Sequence, residues 1–441
     1  MTSTVVACAT GAVRAGISIV RISGPLAKKI GEKVCQQSIG APNRTVFRSI
    51  FDNQGQLIDK GLVVFFQGPA SFTGEDVLEL QTHGSPFIVE QVITSCLSHG
   101  AEYARPGEFS ERAFLNGKID LVQAESIADL INAQSAAQAS AALASLEGAL
   151  SSEVSRLQEK LVKIRTQIEA SIDFSDQSVD TQATAQLSEA LQDLGRATEA
   201  LISKVKRAIH NQCGLRVAMV GAPNVGKSSL MNQLTQQESA IVTDIPGTTR
   251  DVIKAQIAFQ GHALEIMDTA GIRETLDPIE TIGVSKTYEA LQVADIVWVL
   301  ADVSSLSKNT RKDIEATLGE HRKKSIIVGN KCDLAPSLTL PDWLDCTISA
   351  KSGEGIESLL AMTMKRKSMS ITSAFSARRR HLKALEDFSG HLQQGLASMS
   401  THIDAAAEDL RCAQKCLSVM TGAFHNEDLL DQIFGTFCLG K

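Results

Sequence analysis

The stretch of sequence best suited to chemistry is VAMVGAPNVGKSSL, whose glycines, lysine and serine have the spacing of a phosphate-binding loop. An apolar run precedes the loop and a helical pattern follows it. Gly221 and Gly226 let the backbone curl around phosphate oxygens, and the amides at a helix N-terminus favour anions. Lys227 can reach the β and γ oxygens, and the Ser228 hydroxyl can bind Mg²⁺. The sequence therefore predicts a site for a magnesium-bound nucleoside triphosphate.

Three later motifs indicate which base is bound. DTAG follows a strand pattern, so Asp268 can bind Mg²⁺ through a water molecule and the Gly271 amide can sense the γ-phosphate. In NKCD, Asp333 can accept two hydrogen bonds from the N1 and N2 donors of guanine, which adenine lacks. Each bond to a charged acceptor contributes about 1.5–3 kcal/mol, enough to discriminate against ATP. SAK at 349–351 adds backbone contact to the guanine oxygen.

These four motifs, in this order, predict a GTP-binding domain. The loop IVTDIPGTTRD is expected to close over the phosphates as a switch. The predicted nucleotide contacts are Asn224, Val225, Gly226, Lys227, Ser228, Ser229, Thr243, Asp244, Ile245, Pro246, Gly247, Thr248, Thr249, Asp268, Thr269, Ala270, Gly271, Asn330, Lys331, Asp333, Ser349, Ala350 and Lys351.

The residues around the γ-phosphate predict an unusual catalytic apparatus. Ile272 stands where Ras-like enzymes have the glutamine that orients the attacking water, and isoleucine cannot do this. Asn224 and the switch loop supply amide, carbonyl and hydroxyl oxygens for a monovalent cation in the place of an arginine finger. Thr249 is the switch residue that closes on Mg²⁺. Glu280 is a candidate for orienting water, directly or through a second water, and the alternative is an acid on a helix surface.

The C-terminal FCLGK places Cys438 four residues from the end, where a prenylation signal would lie. Prenylation is excluded by the glycine at an aliphatic position and by the terminal lysine. Cys412 and Cys416 have the spacing of half a metal site on a helix, but no second pair of Cys or His follows, so buried packing is favoured. The tail could be a thiol, a contact in another pocket or a frayed end.

The bulk composition limits the class of protein. A chain of 441 residues is expected to form two to four domains, and its net charge of −7 argues against a surface that coats nucleic acid. The short basic runs KVKR, KRK and RRR are typical of solvated helix faces. Nine cysteines without a CxxC pair indicate a reducing compartment. The N-terminus predicts no signal or transit peptide, and the chain predicts no transmembrane helix.

The elements that position these motifs follow from the prolines and the apolar patterns. None of the ten prolines lies between Pro106 and Pro223 or after Pro341, and both stretches repeat apolar residues at helical spacing. Between them, LRVAMVG, ALEIMDTAG, ADIVWVLADV and SIIVGNKCD predict buried parallel strands in a βαβ pattern. Near the N-terminus, STVVACAT, GISIVRISG, GLVVFFQG and EDVLELQTHGSPFIVEQVI predict short strands separated by turns.

The predicted fold is therefore multidomain. It has an α+β N-terminal domain, an all-α helical domain, and an α/β Ras-like P-loop domain (G domain) inserted into the helical one. The predicted domains are residues 1–118, the two helical parts 119–213 and 373–441, and the G domain 214–372.

Several motifs outside the nucleotide site carry a family resemblance across the whole chain. They are GISIVRISG, SFTGEDVLELQTHG, RPGEFSERAFLNGKIDLVQAE and the terminal FCLGK. The nucleotide-site motifs GAPNVGKSS, IVTDIPGTTRD, DTAGIRE and NKCD complete the set. By all of these motifs, in this order, the chain resembles the MnmE (TrmE) family of tRNA-modification GTPases, within the TrmE-Era-EngA-like class. One departure is ATGAVRAG, where the family has a Thr-Pro-Pro-Gly-like stretch.

The resemblance implies a potassium-activated GTPase that hydrolyses GTP to GDP in the cytoplasm. It implies an N-terminal domain that binds 5-formyl- or 5,10-methylene-tetrahydrofolate and dimerises, with the G domains also pairing in the GTP state. It implies a heterotetramer with the flavin-dependent protein MnmG (GidA). Together the two proteins add a carboxymethylaminomethyl or aminomethyl group at C5 of the wobble uridine of certain tRNAs, using the folate one-carbon unit.

The resemblance also assigns roles to residues of this chain. It implies that Glu280 is the catalytic acid and that Cys438 acts as a thiol near the folate pocket. The implied K⁺ ligands are Asn224, Thr243, Ile245 and Thr248, and the implied Mg²⁺ ligands are Ser228 and Thr249. The implied folate contacts are Arg21, Glu79, Lys118 and Lys441.

Two alternatives share the G motifs. A ribosome-assembly GTPase of the Era or EngA type would carry an RNA-binding KH module with a GxxG loop after the G domain, whereas this sequence continues as a helical block. A GTP-driven scaffold would have no chemistry of its own. Binding of folate separates the tRNA-modifying GTPase from both.

Overall fold

A computed structural model describes most of the chain. The described residues are 3–11, 14–173, 181–212, 214–235, 240–241, 253–268, 291–306, 310–334, 341–367, 374–399, 402–423, 427–438 and 440. They form two compact units. The first comprises Met1–Asp129, Ser145–Leu201 and Arg380–Lys441, and the second comprises Leu130–Ala144 and Ile202–Arg379. The predicted domain boundaries remain predictions.

The first unit contains a six-stranded sheet. Its strands are β1 (Val5–Cys8), β2 (Ala15–Ser23), β3 (Thr45–Phe51), β4 (Leu57–Phe66), β5 (Val77–Gly84) and β6 (Glu102–Tyr103). The order is β3-β4-β5-β2-β1-β6, and only the β1–β6 pair is parallel. Alternate side chains such as Val20 and Leu80 pack against α1 (Ala27–Cys35) and α2 (Pro86–Ser98). The helices therefore cover one face of the sheet.

The predicted strand EDVLELQTHGSPFIVEQVI is correct only in its first half. Strand β5 ends at Gly84, and α2 begins at Pro86 after Ser85, whose φ of −89° and ψ of 125° are extended. Proline suits the first turn of a helix because no intrahelical partner is available for an amide there. Val92 and Cys96, four residues apart, are buried on one face of the helix, which overrides the strand preference of its valines and isoleucines.

The helical part of the first unit combines segments from both halves of the chain. Its helices are α3 (Glu108–Leu115), α4 (Leu121–Ile131), α6 (Ala149–Asp173), the first two-thirds of α7 (Thr181–Gln212), α11 (Arg379–Ser398), α12 (Ile403–Thr421) and α13 (Glu427–Phe434). Buried Glu125 accepts hydrogen bonds from Arg380 at 2.6 and 2.7 Å and pairs with His381 at 2.8 Å. The prediction that the two helical blocks pack together is confirmed by these contacts.

The second unit is built on a seven-stranded sheet. Its strands are β7 (Leu215–Gly221), β8 (Ala240–Ile241), β9 (Ile253–Phe259), β10 (His262–Asp268), β11 (Ile296–Asp302), β12 (Ser325–Asn330) and β13 (Cys346–Thr347), in the order β13-β12-β11-β7-β10-β9-β8. The five strands from β13 to β10 are parallel, and β9 and β8 extend the sheet in antiparallel fashion. The four predicted strands are all present.

Helices cover both faces of this sheet. They are α8 (Lys227–Thr235), α9 (Thr310–Leu318) and α10 (Ile356–Lys367). Helix α5 (Ala136–Leu146) meets the turn between β9 and β10, where the Ala137 N–H donates to the Gly261 carbonyl oxygen at 3.5 Å. Helices α8 and α10 pack on one face around the fully buried Trp298, whose indole donates to Thr363 at 2.9 Å. Helix α9 packs on the other face through Leu318. The sheet with helices on both faces is a doubly wound α/β arrangement, in agreement with the predicted βαβ pattern. Across the described part of both units, no helix is long and apolar enough to cross a membrane.

Candidate functional site

The loop between β7 and α8 has the backbone that a phosphate cradle requires. Asn224 and Gly226 both have positive φ angles, 60° and 101°. A Cβ atom added at Gly226 would lie 2.2 Å from the Asn330 amide nitrogen, so only glycine fits there. The loop therefore turns tightly just before the N-terminus of α8.

The Lys227 side chain is held against this loop. Its ammonium donates to the carbonyl oxygens of Gly221 at 2.7 Å and Ala222 at 2.9 Å. A cation and the positive end of the α8 dipole thus occupy the same place, which fits the anionic phosphates of a nucleotide. Ser228 is exposed in the first turn of α8, where its hydroxyl can serve a magnesium ion next to those phosphates.

Asn330 joins three of the sequence motifs. Its amide nitrogen donates to the Val225 carbonyl oxygen at 2.8 Å, and its amide oxygen accepts from the Ala350 N–H at 2.9 Å. The residue is only 1% exposed, so both bonds lie away from water. Asn330 thereby fixes the phosphate loop and the segment 349–351 to the end of β12.

Asp333 lies exposed beside a cavity of about 430 Å³. The Ser349 hydroxyl donates to one of its carboxylate oxygens at 2.7 Å, which orients the carboxylate. A carboxylate oxygen accepts more than one hydrogen bond, so Asp333 retains capacity for the N1 and N2 donors of guanine. Gly226, Lys331 and Lys351 line the same cavity. The phosphate loop and the base-reading residues thus share one pocket.

Asp302, at the end of β11, is part of the site and was missed by the sequence reasoning. It accepts a hydrogen bond from the Lys331 ammonium at 2.6 Å. Burial would raise the pKa of Asp302, but hydrogen bonds from Lys331 and Ser304 outweigh burial and lower that pKa below its usual value. The signal in the sequence was an acid at the carboxyl end of a parallel strand, where ligands of α/β sheets bind.

The structure brings together most of the predicted nucleotide contacts. Asp268 ends β10, which pairs with β7. The described contacts in the phosphate loop and near the base are Asn224, Val225, Gly226, Lys227, Ser228, Ser229, Asn330, Lys331, Asp333, Ser349, Ala350 and Lys351. The predicted residues that lie outside the described part of the chain are Thr243, Asp244, Ile245, Pro246, Gly247, Thr248, Thr249, Thr269, Ala270, Gly271, Glu280 and Lys441. Three cavity-lining residues were not predicted, namely Asn232, Gln233 and Leu334.

A second polar cluster lies in the first unit. Arg21 and Glu79 form an ion pair of 2.9 Å between β2 and β5. The Arg21 guanidinium lies 5.8 Å from the centroid of the Phe72 ring and 5.7 Å from that of Phe109. Lys118 donates to the carbonyl oxygen of Pro69, in the same loop as Phe72. The cluster therefore combines one acid, two cations and two aromatic rings.

The C-terminal tail lies against β1. A Cβ atom added at Gly440 would lie 2.1 Å from the Cys8 carbonyl oxygen, so the tail backbone approaches the strand closely. Strand β1 is the neighbour of β2, and Ala7 pairs with Arg21. Cys438 is exposed just before this contact. The tail therefore belongs to the same part of the molecule as the Arg21 cluster.

Two family models match the chain. The model described as "MnmE helical domain" matches residues 121–438, and the model described as "GTP-binding protein TrmE N-terminus" matches residues 4–118. A tRNA modification GTPase MnmE from Chromohalobacter salexigens is 41% identical over 449 residues, covering 99% of this chain and 98% of that protein. One from Pseudomonas syringae pv. syringae is 42% identical over 452 residues, covering 99% of each.

Among solved structures, the G domain of the T. maritima FeoB iron transporter is 25% identical, with a TM-score of 0.28, and covers 34% of this chain and 98% of its own. The phosphate loop, the NKCD geometry and the doubly wound sheet define a P-loop GTPase. Over nearly its whole length, the chain belongs to the MnmE family of tRNA modification GTPases.

Proposed function

We propose that this chain is a potassium-activated GTPase that hydrolyses GTP to GDP and takes part in modifying the wobble uridine of certain tRNAs. With the flavin-dependent MnmG (GidA), it adds a carboxymethylaminomethyl or aminomethyl group at C5. The observation that carries the proposal is the Asn330 bridge, which joins a phosphate loop to a guanine-reading carboxylate in a chain of this family.

The described residues account for binding and orientation of GTP. Asp333 is proposed to read the base, and Lys227 and the loop amides to hold the phosphates. Ser228 is proposed to hold Mg²⁺ with Asp268, through water, and with Thr249, which lies outside the described residues. Bound Mg²⁺ neutralises charge that develops on the phosphate oxygens. Because these residues contact GTP before and during the reaction, they determine affinity and alignment.

Potassium is proposed to supply the positive charge that an arginine finger supplies elsewhere. Asn224 supports this proposal because its left-handed backbone places an amide side chain, exposed, at the rim of the phosphate loop. The other proposed ligands, Thr243, Ile245 and Thr248, and the proposed water-orienting Glu280 lie outside the described residues.

The test of this proposal is the turnover of GTP in matched KCl and NaCl. Hydrolysis should be much faster in K⁺, because an arginine-finger-like charge changes the rate about 10³–10⁵-fold. Asn224→Ala should lose the K⁺ response and keep nucleotide binding, since Lys227 still holds the phosphates. A matched control is Asn116→Ala, a change in the first unit that should leave the K⁺ response intact. Equal turnover of the wild type in the two salts contradicts the proposal.

A tetrahydrofolate derivative, 5-formyl or 5,10-methylene, is proposed to bind at Arg21, Glu79, Lys118 and Lys441. The support is the ion pair between Arg21 and Glu79 beside two phenyl rings, with the tail close by. Glu79 can accept the N–H donors of a pterin, and the cations can pair with its glutamate tail. Cys438, which is exposed, is proposed to act as a thiol near this pocket.

The proposed assembly is a homodimer that joins MnmG in a heterotetramer in the cytoplasm. Supporting the homodimer, the sheet face opposite α1 and α2 carries apolar side chains that are open to solvent. Phe47 and Leu62 pair across β3 and β4 and are 62% and 42% exposed, and Ile17 on β2 is 62% exposed. Exposed apolar side chains grouped on one face are typical of an interaction surface.

Of the alternatives, an Era-type ribosome-assembly GTPase is less well supported. The chain after the G domain folds as α11, α12 and α13, where that class has a KH module. A scaffold without chemistry does not need the Arg21 cluster or the tail contact on β1. The tRNA-modifying GTPase accounts for both features.

A further inference from the structure

The Lys331 side chain stands between two cavities of the G domain. One is the cavity of about 430 Å³ that Gly226, Asp333 and Lys351 also line. The other, of about 620 Å³, is lined by Asn224 and Asp302 among others. Lys331 lines both cavities, so it lies at the partition between the guanine pocket and the neighbouring space.

Asp302 fixes the end of this partition. Its Oδ2 accepts from the Lys331 ammonium at 2.6 Å, while Oδ1 accepts from the Ser304 N–H at 2.9 Å and the Ser304 hydroxyl at 2.6 Å. The two hydrogen bonds from Ser304 thus orient the Asp302 carboxylate independently of Lys331. Asp302 and Asn330 are paired in register on β11 and β12, which places the acid beside the residue that precedes Lys331.

Both the backbone and the side chain of Lys331 are costly to hold in one conformation. Its φ of 68° is left-handed, a conformation that is unfavourable for a residue with a side chain. A lysine also has many rotamers, so an unanchored side chain would leave the partition open for much of the time. The bond to Asp302 restrains the side chain from its charged end.

We propose that Asp302 is a positioning residue for nucleotide binding, which holds Lys331 as one wall of the guanine pocket. The proposal rests on GTP binding at this site, as proposed above. Asp302 lies in the second cavity and reads no edge of the base, so its effect is the same for any purine that the pocket accepts. An effect on binding alone raises the dissociation constant and KM without lowering kcat.

The test is Asp302→Asn, which removes the charge that holds Lys331 and keeps an acceptor for Ser304. For fluorescent GDP, the dissociation constant and the dissociation rate should rise about three- to tenfold. This is the effect expected for the loss of a charged hydrogen bond whose contribution is reduced because the pair is partly exposed to solvent. KM for GTP should rise by the same factor, with kcat within about twofold of wild type. The matched control is Glu315→Gln, which breaks the exposed Arg311–Glu315 ion pair of the same domain and should change neither constant.

A double-mutant cycle with Lys331→Met locates the effect. Methionine keeps an apolar chain without the ammonium, so Asp302→Asn should add nothing in that background. Unchanged GDP binding in Asp302→Asn overturns the proposal. So does an equal rise of the GDP dissociation constant when Asp302→Asn is made in the Lys331→Met background. A lowered thermal midpoint with equal losses in kcat also overturns it, because Asp302 then has a merely structural role. Failure of the wild type to bind GDP would instead overturn GTP binding itself.

Discussion

Asn330 and Val225, 105 residues apart in sequence, are joined by a buried hydrogen bond of 2.8 Å from the asparagine amide to the valine carbonyl oxygen. The bond ties the phosphate loop to the base-reading loop. Any change that moves Asn330 should therefore disturb phosphate binding and base recognition together.

Gly226→Ala tests this link. The new Cβ would meet the Asn330 amide at 2.2 Å and would force a residue with a side chain into a φ of 101°. Strain of about 1–3 kcal/mol should weaken GDP binding roughly 5- to 150-fold, as measured by titration with a fluorescent nucleotide. The control is Gly195→Ala in α7, where a Cβ has open space and alanine should stabilise the helix by about 0.5–1 kcal/mol. Normal GDP affinity of Gly226→Ala would contradict the described packing.

Asp333→Asn should shift the nucleotide preference from GTP towards XTP. An amide can donate to the oxygen that xanthine carries where guanine has its amino group, while the loss of a charged acceptor costs GTP about 1.5–3 kcal/mol. Competition of GTP and XTP against a fluorescent nucleotide measures the shift. Asp342→Asn, an exposed change outside the cavity lining, is the matched control. If Asp333→Asn keeps the wild-type preference, another residue reads the base.

The buried Glu125 should make the first unit sensitive to acid. Burial raises the pKa of Glu125, but hydrogen bonds from His381 and Arg380 outweigh it and lower that pKa from 4.5 to about 2. Because the folded pKa is depressed, the stabilisation is complete above about pH 4.5 and is lost as the pH falls towards 2.

Glu125→Gln should therefore lower the thermal midpoint at pH 7, with a loss of about 3 kcal/mol, and should flatten the acid dependence between about pH 4.5 and 2. Thermal unfolding of the full chain at several pH values measures both effects. Glu408→Gln, which breaks the exposed pair with Arg411, should leave both unchanged. A wild-type acid profile in Glu125→Gln would show that this carboxylate is not the titrating group.

The local parts of this architecture could be predicted from the sequence, because a phosphate loop and its flanking strand and helix are encoded within about fifteen residues. The strands β7, β10, β11 and β12 were likewise readable as apolar runs. The Asp302–Lys331 bond and the Glu125–Arg380 pair were not, because only the folded chain brings residues 29 and 255 positions apart together. The helix α2 was missed because its composition favours a strand and only its packing settles the outcome.

The tail and Glu280 should separate the two proposed chemistries. Deleting residues 438–441 should leave GTP hydrolysis near normal, because the tail contacts β1 of the first unit and the nucleotide pocket lies in the second. Glu280→Ala should lower kcat while GTP affinity stays close to wild type, because a water-orienting acid acts mainly in the transition state. Single-turnover hydrolysis measures both variants. A tail deletion that abolishes hydrolysis, or a Glu280→Ala enzyme with full kcat, contradicts this division.

The most direct test of the central claim is mass spectrometry of tRNA wobble nucleosides in cells that lack this protein. We expect the carboxymethylaminomethyl- or aminomethyl-uridine to disappear and to return with the wild-type gene. Neither the deletion of residues 438–441 nor Glu280→Ala should restore it fully, and Glu408→Gln should. An unchanged content of these nucleosides in cells without the protein would contradict its role in tRNA modification.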